Sequence, residues 1–315
     1  MGGNALLPPG QDGTQVQQLR NAERLARALM PLIRKQQPLL LVHGNGPQVG
    51  NLMLRMEESV TKVPPLPLDF CVAQSQGEMG YLLEQALVNR MRRDKLEMPV
   101  TCVLTQVRVD PDDAAFAQPT KPIGPFFNRY RAGLLRREGK AVVEDSGRGY
   151  RRVVASPRPQ EVLGLEAVRL LLDRGGLVIA GGGGGVPVVR TARGGLQGVE
   201  AVIDKDYTAG MMARELGADL LVILTDVERV CLRYGTAEQK GLKTMSVNQA
   251  RAYLEAGEFP PGSMGPKVAT ALEFVEATGG EALITSVPRL AAALAGRSGT
   301  RFTPSNRLPF NGGSK

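Results

Sequence analysis

Apolar residues recur at two different spacings along the chain, and the alternation between them predicts most of its elements. Val16, Leu19, Ala22, Leu25, Leu29 and Ile33 fall three and four residues apart, which predicts one buried helical face over 14–36. The apolar run at 38–42 then reads as a strand. Helices follow near 48–58 and 74–92, and a strand over 99–107. Beyond residue 160 the pattern predicts a helix at 160–174, a strand at 176–180, a helix at 206–216, the buried run 220–224, a helix at 265–277 and a strand at 282–285. Helices alternating with apolar strands define an α/β protein with a mainly parallel, helix-covered sheet. Residues 111–152 break the rhythm: they are rich in Pro, Gly and Arg and offer short strand-like pieces without a long amphipathic period. This segment reads as a protruding subdomain within one domain spanning 1–302, and 303–315 as a disordered tail.

Glycine turns follow several of these strands. AGGGGGVPVV occupies 180–189 after Leu177-Val178-Ile179, HGNGPQVGN occupies 43–51 after Leu39-Leu40-Leu41-Val42, and Gly2-Gly3-Asn4 opens the chain. Such turns can wrap an anion with main-chain N–H groups, and a phosphate is the natural candidate. A flexible loop is the alternative for any single run. In open α/β sheets ligands gather beyond the carboxyl ends of strands, where these turns would converge. Neither GxGxxG nor GxxxxGK[ST] occurs, so dinucleotide-binding and P-loop readings lose their main support.

The formal charge of +8 comes from 39 basic and 31 acidic residues among 315. Residues 111–152 hold nine basic and five acidic residues, so +4 of that excess sits in the insertion, as a lid over an anionic site would require. No RRM-like motif, zinc finger or long basic block is present, and aromatics make up only 4%, which gives nucleic-acid binding no support. Cys71, Cys102 and Cys231 are widely spaced without a CxxC pair, which fits a reducing cytoplasm and excludes a zinc site of that type. No membrane span, signal segment or myristoylation pattern is found. His43 is the only histidine and reads as a polar group closing a strand.

Phosphoryl transfer needs fixed cations near the moving group. Lys205 stands between Asp204 and Asp206 in VIDKDYTAG where a helix begins; the acidic pair alone would suit an ordinary helix start, but a lysine there is unfavourable. Lys267 opens a helix in PPGSMGPKVATA, and Lys121 is stiffened by Pro119, Pro122 and Pro125, although taken alone that setting is better explained by a proline-rich surface loop. Thr225-Asp226 ends the buried strand 220–224 and reads either as a nucleotide contact or as a simple turn.

Ten segments occur in one order: GGNALL, HGNGPQVGN, PLDFCVAQSQGEMGY, PTKPIGPFF, RRVVASPRP, AGGGGGVPV, GVEAVIDKD, ILTDVERV, PPGSMGPKV and ITS. In these the chain, from residue 2 to about 302, resembles the carbamate kinases. The resemblance implies the amino acid kinase fold, a three-layer αβα sandwich with a mainly parallel open sheet and a small protruding subdomain, commonly a homodimer. It implies magnesium-dependent transfer between ATP and carbamate, giving ADP and carbamoyl phosphate, in the cytoplasm. By the same resemblance Lys121, Lys205 and Lys267 are the catalytic cations and Asp206 holds the lysines in place. Gly2, Gly3, Asn4, Gly44, Asn45, Gly46, Gly182 and Gly183 would cradle the phosphoryl group, and Asp204, Thr225, Asp226 and Met264 would contact the nucleotide. No protein metal ligand is implied. Other readings are a family member acting on another small acid such as acetylglutamate, or a non-catalytic nucleotide- or anion-binding relative. The latter is motivated by a departure: an apolar strand of about 5–6 residues precedes the first glycine pair in the family, and here only Met1 does. Cys231 replaces an aromatic, and the tail extends past the family's usual end.

Overall fold

The computed structural model describes residues 1–2, 6–8, 10–144, 149–260 and 263–304; Gly3, Asn4 and the tail from 305 onward lie outside the described residues. The chain divides into two compact units, Met1–Ala209 and Gly210–Lys315.

The first unit contains, in order, α1 (Gln15–Ile33), β1 (Leu39–Leu41), α2 (Gly46–Ser59), α3 (Leu68–Arg93), β2 (Val100–Cys102), β3 (Gln106–Val109), β4 (Lys121–Phe127), α4 (Arg129–Arg137), β5 (Val142–Glu144) and β6 (Tyr150–Val154). It continues through β7 (Pro159–Val162), α5 (Leu165–Asp173), β8 (Leu177–Ile179), β9 (Val186–Arg190), β10 (Leu196–Gly198) and the start of α6 (Lys205–Glu215). Thr14 and Gln17 form a capping box that starts α1, and Ala22, Leu25, Leu29 and Ile33 are buried along one face, as their spacing requires. Val16 belongs to that spacing but is exposed, since it lies in the first turn. β1, β8 and β2 form a parallel sheet in which Leu40, Val178 and Thr101 are in register. A second sheet, ordered β10-β9-β3-β7, pairs β3 parallel to β9 and antiparallel to β7.

Two predicted elements differ. The strand read over 99–107 is two strands in two sheets, because the chain turns at 103–105 to receive other groups. Thr105 O accepts the Val186 N–H, and its amide and carbonyl are both taken by the Gln76 side chain. The helix read over 160–174 begins only at Leu165: residues 159–162 pair with β3, and Gly164, at φ +72°, separates strand from helix. β4, β6 and β5 form an antiparallel sheet in that order, with α4 packed on it through Ala132 and Leu135. That helix was not legible because two buried positions in nine residues make no period.

The second unit is built from β11 (Leu220–Thr225), β12 (Cys231–Leu232), β13 (Lys240–Gly241), β14 (Thr244–Ser246), α7 (Val247–Glu255), α8 (Met264–Thr278), β15 (Glu281–Ser286), α9 (Leu290–Leu294) and β16 (Thr300–Thr303). The order β11-β15-β16-β14 has β11 parallel to β15 and β16 antiparallel to β15. Phe274 and Phe302 are fully buried in its core. β16 therefore orders Thr303, the first residue of the tail read as disordered.

Candidate active site

Four of the five amides of the glycine run are spent within the protein, which departs from the reading that the run offers its N–H groups to an anion. Gly181 N–H donates to Thr105 Oγ1, Gly183 N–H to His43 O at 2.7 Å, Gly184 N–H to Gly181 O and Gly185 N–H to Gly182 O. Glycine is required here by close packing. A Cβ on Gly182 would stand 2.5 Å from His43 Nε2, on Gly183 2.1 Å from Asn45 Nδ2, on Gly184 2.4 Å from Ile203 O and on Gly185 2.2 Å from Val107 Cγ2. Gly181, Gly183, Gly184 and Gly185 also have positive φ. The turn is thus a buried keystone against which the neighbouring loops are set.

One of those loops is 43–46. His43, just after β1, is buried, and its Nδ1 faces Gly44 O at 3.3 Å; a carbonyl only accepts, so Nδ1 carries the proton. Burial first of all, and also the Met1 ammonium charge, lower its pKa to about 4, against the pull of the Gly44 bond. His43 is therefore neutral near pH 7 and a structural group. Asn45 is buried and donates its Nδ2 to Ser75 Oγ at 2.8 Å, and its side chain makes no cap hydrogen bond to α2. The first turn of α2 is left without a side-chain acceptor, and a Cβ on Gly46 would meet nothing within 4 Å. An uncapped helix start with open space beside it is suited to an anion. Gly2 likewise has open space at its Cβ position, and Gly44 N–H donates to Met1 O at 2.8 Å.

The charged residues gather at the start of α6. Asp204 precedes the helix and its Oδ1 accepts the Asp206 N–H at 2.9 Å, the N-cap pattern. Its Oδ2 lies 2.5 Å from Lys121 Nζ, which β4 brings in from 83 positions away. Burial opposes ionisation of Asp204, but the Lys121 and Lys205 charges outweigh it and hold the carboxyl below its ordinary pKa. Lys205 Nζ is 3.1 Å from Asp206 Oδ1, whose side chain is only 5% exposed. Thr208 Oγ1 donates to Gly184 O at 2.8 Å, tying α6 to the glycine turn. Lys121, Asp204, Lys205 and Asp206 thus form one site edge, fixed by hydrogen bonds to the turn that also positions His43.

In the second unit Thr225 ends β11 opposite Ser286, and Asp226 follows it. Met264 begins α8, and Lys267 lies in its first turn; Ser263 makes no side-chain cap. The supporting residues Ser75, Gln76, Thr105 and Thr208 were not read from the sequence. The signal available was a polar pair, Ser75-Gln76, on the buried face of α3 between Val72 and Met79. Gln48, in the first turn of α2, is 3% exposed with neither carboxamide atom hydrogen-bonded.

Residues 1–286 match the family model described as the amino acid kinase family, and the chain belongs to that family. Within it the chain stands with the carbamate kinases. It is 44% identical over 307 residues to carbamate kinase of Pyrococcus furiosus, covering 96% of this chain and 98% of that protein. Solved structures of carbamate kinase from Giardia lamblia, one bound to citric acid and one to AMP-PNP, superpose with TM-scores of 0.91 and 0.88. Each is 38% identical and matches over 96% of both chains. The α/β architecture with parallel-rich sheets is that of these kinases.

The depressed His43 pKa carries a testable sign. Between pH 6.5 and about 4 the unfolded chain binds a proton that the folded protein refuses, so this stabilisation is complete above pH 6.5 and lost as pH falls through the window. Its full extent is on the order of 3 kcal/mol. Urea unfolding at pH 7 and pH 4.5 should show a distinctly smaller acid loss in His43→Asn, which keeps a donor for Gly44 O, than in the parent; equal losses would contradict the buried neutral imidazole.

Proposed function

We propose that the protein catalyses reversible, magnesium-dependent transfer of the terminal phosphoryl group between ATP and carbamate, running toward ATP in arginine catabolism. The carrying observation is the edge at the start of α6 where two ammonium groups, Lys121 and Lys205, are each held by a carboxylate, Asp204 and Asp206. In the ATP-forming direction a terminal oxygen of ADP attacks the phosphorus of carbamoyl phosphate. The bond from phosphorus to the carbamate oxygen breaks, and its electron pair leaves with carbamate. Lys121 and Lys205 neutralise the transferring group, and Asp204 and Asp206 hold the two ammonium groups in place. Charge neutralisation of this kind, with in-line positioning, accounts for most of the catalysis in phosphoryl transfer, so no covalent enzyme intermediate is needed.

Gly2, Gly3, Asn4, Gly44, Asn45, Gly46, Gly182 and Gly183 remain the proposed cradle, with Gly46 and the α2 start as anion donors and the two run glycines as packing elements. The second unit is proposed to hold the nucleotide through Thr225, Asp226 and Met264, with Lys267 as a further cation for the transferring phosphoryl group. Magnesium would be held mainly by the nucleotide phosphates with one or two carboxylates, the usual donor set of this ion, and Asp204 and Asp206 are the carboxylates at the site edge. When bound it neutralises phosphate oxygens. Residues 1–302 are proposed as one kinase domain with 111–152 as its lid.

A cytoplasmic homodimer is part of the same reading. No helix among the described residues is long and apolar enough to cross a membrane. Tyr81 and Leu104 are exposed beside a cavity of about 500 Å³ on α3, which suits contact with a second copy. The test is ATP formation from ADP against a panel of carbamoyl phosphate, acetyl phosphate and acetylglutamyl phosphate. Carbamoyl phosphate should be used best; nucleotide binding without turnover, or a preference for another acyl phosphate, would overturn the proposal.

A further inference from the structure

The lid is mounted on α2 by two contacts of different kind. At the first, the backbones of Gly50 and Gly124 touch, with Ile123 and Val154 packed on Val49 beside them. At the second, Glu57 meets three cations: Oε1 is 2.9 Å from Lys140 Nζ and 3.2 Å from Arg152, and Oε2 is 4.0 Å from Arg131. These come from α4, the turn before β5, and β6, so one carboxylate grips the lid at three separate places. Residues 49, 53, 56 and 57 share a helical face, which puts Glu57 on the same stripe as the apolar contact.

Gly50 and Glu57 are seven residues apart, about 10 Å along the helix. One contact alone would let the subdomain pivot about Gly124, three residues from Lys121. Two contacts about 10 Å apart fix its orientation. Without the carboxylate, Lys140 keeps Glu138 at 3.7 Å, but Arg131, Lys140 and Arg152 lose the group that draws them together. We propose that Glu57 is a positioning residue for the reaction: by clamping the lid's cations it sets β4, and with it the Lys121 ammonium, against the start of α6. This rests on the assignment of Lys121 to the transferring group.

The test is Glu57→Gln in the full chain, read by hydrogen exchange and steady-state kinetics. Exchange should accelerate in β4 and β6 while α3 stays protected. The kcat/KM for carbamoyl phosphate should fall about tenfold, since even about 1 Å of misplacement is costly at a reacting centre, with the KM for ADP held within about twofold. Added salt should lower kcat/KM for carbamoyl phosphate in the parent and have less effect in the variant. Should Glu57→Gln fail to fold, Lys140→Gln removes one of the three grips and should give a weaker version of both changes. Unchanged exchange in β4 and β6 would overturn the clamp. Faster exchange with unchanged kinetics would overturn the link to catalysis, and a fully active Lys121→Ala would trace that failure to the lysine's assignment instead.

Discussion

Lys205→Ala should lose carbamoyl phosphate-dependent ATP formation by a factor of about 10³ or more while the folded protein persists. A cation placed on a transferring phosphoryl group is worth about 10³–10⁵ in rate in comparable enzymes, which corresponds to about 4–7 kcal/mol of barrier. Lys205 is the first residue of α6 and its side chain is mostly buried, so no neighbouring solvent cation can take its place. Removing it also leaves Asp206 as a buried carboxylate without that partner, which costs stability of its own. The two effects separate in Lys205→Ala/Asp206→Asn, where the buried charge is gone. The double variant should regain thermal stability and remain inactive. Turnover near the parent's in Lys205→Ala would remove Lys205 from its role, and recovery of turnover in the double variant would show that the loss was structural.

The longer helices and the apolar core strands were legible because each buries one clear face. Ala22, Leu25, Leu29 and Ile33 keep the helical step through α1, and Leu39–Leu41, Leu177–Ile179 and Leu220–Thr225 are short apolar runs closed by polar or glycine residues. What failed was decided by tertiary contacts. Residues 159–162 carry apolar positions that suit either a helix or a strand, and pairing with β3 chose the strand. Residues 244–255 and 300–303 carry no comparable signal, because β14, α7 and β16 are short and bury few residues each. The charged site edge was legible from Asp204-Lys205-Asp206, since a lysine between two acids at a helix start has no local reason. Its pairing with Lys121 was not, as nothing in the segment around 121 marks a partner 83 positions on. The glycine run was conspicuous, but composition could not tell exposed donors from close packing; His43, Asn45, Ile203 and Val107 crowding its Cβ positions supply that answer.

Gly50 and Gly124 touch, yet alanine should be ruinous at one and tolerable at the other. A Cβ on Gly50 would lie 1.8 Å from Gly124 Cα and 2.1 Å from Gly124 N, both backbone atoms of β4 with no rotamer by which to yield. A Cβ on Gly124 would lie 3.4 Å from Gly50 Cα, an ordinary contact, and its cost is the φ of +73°, about 1–2 kcal/mol for a residue with a side chain. In Gly50→Ala, β4 must withdraw by more than about 1 Å, beyond the 1–3 kcal/mol range of common overpacking. Lys121 withdraws with it and leaves its position 2.5 Å from Asp204. Thermal unfolding should show a large loss for Gly50→Ala and a small one for Gly124→Ala. Turnover with carbamoyl phosphate should fall about 100-fold or more in the first variant and only modestly in the second. Equal stability and activity in the two variants would mean that α2 and β4 can separate freely, and that the lysine is not held by this contact.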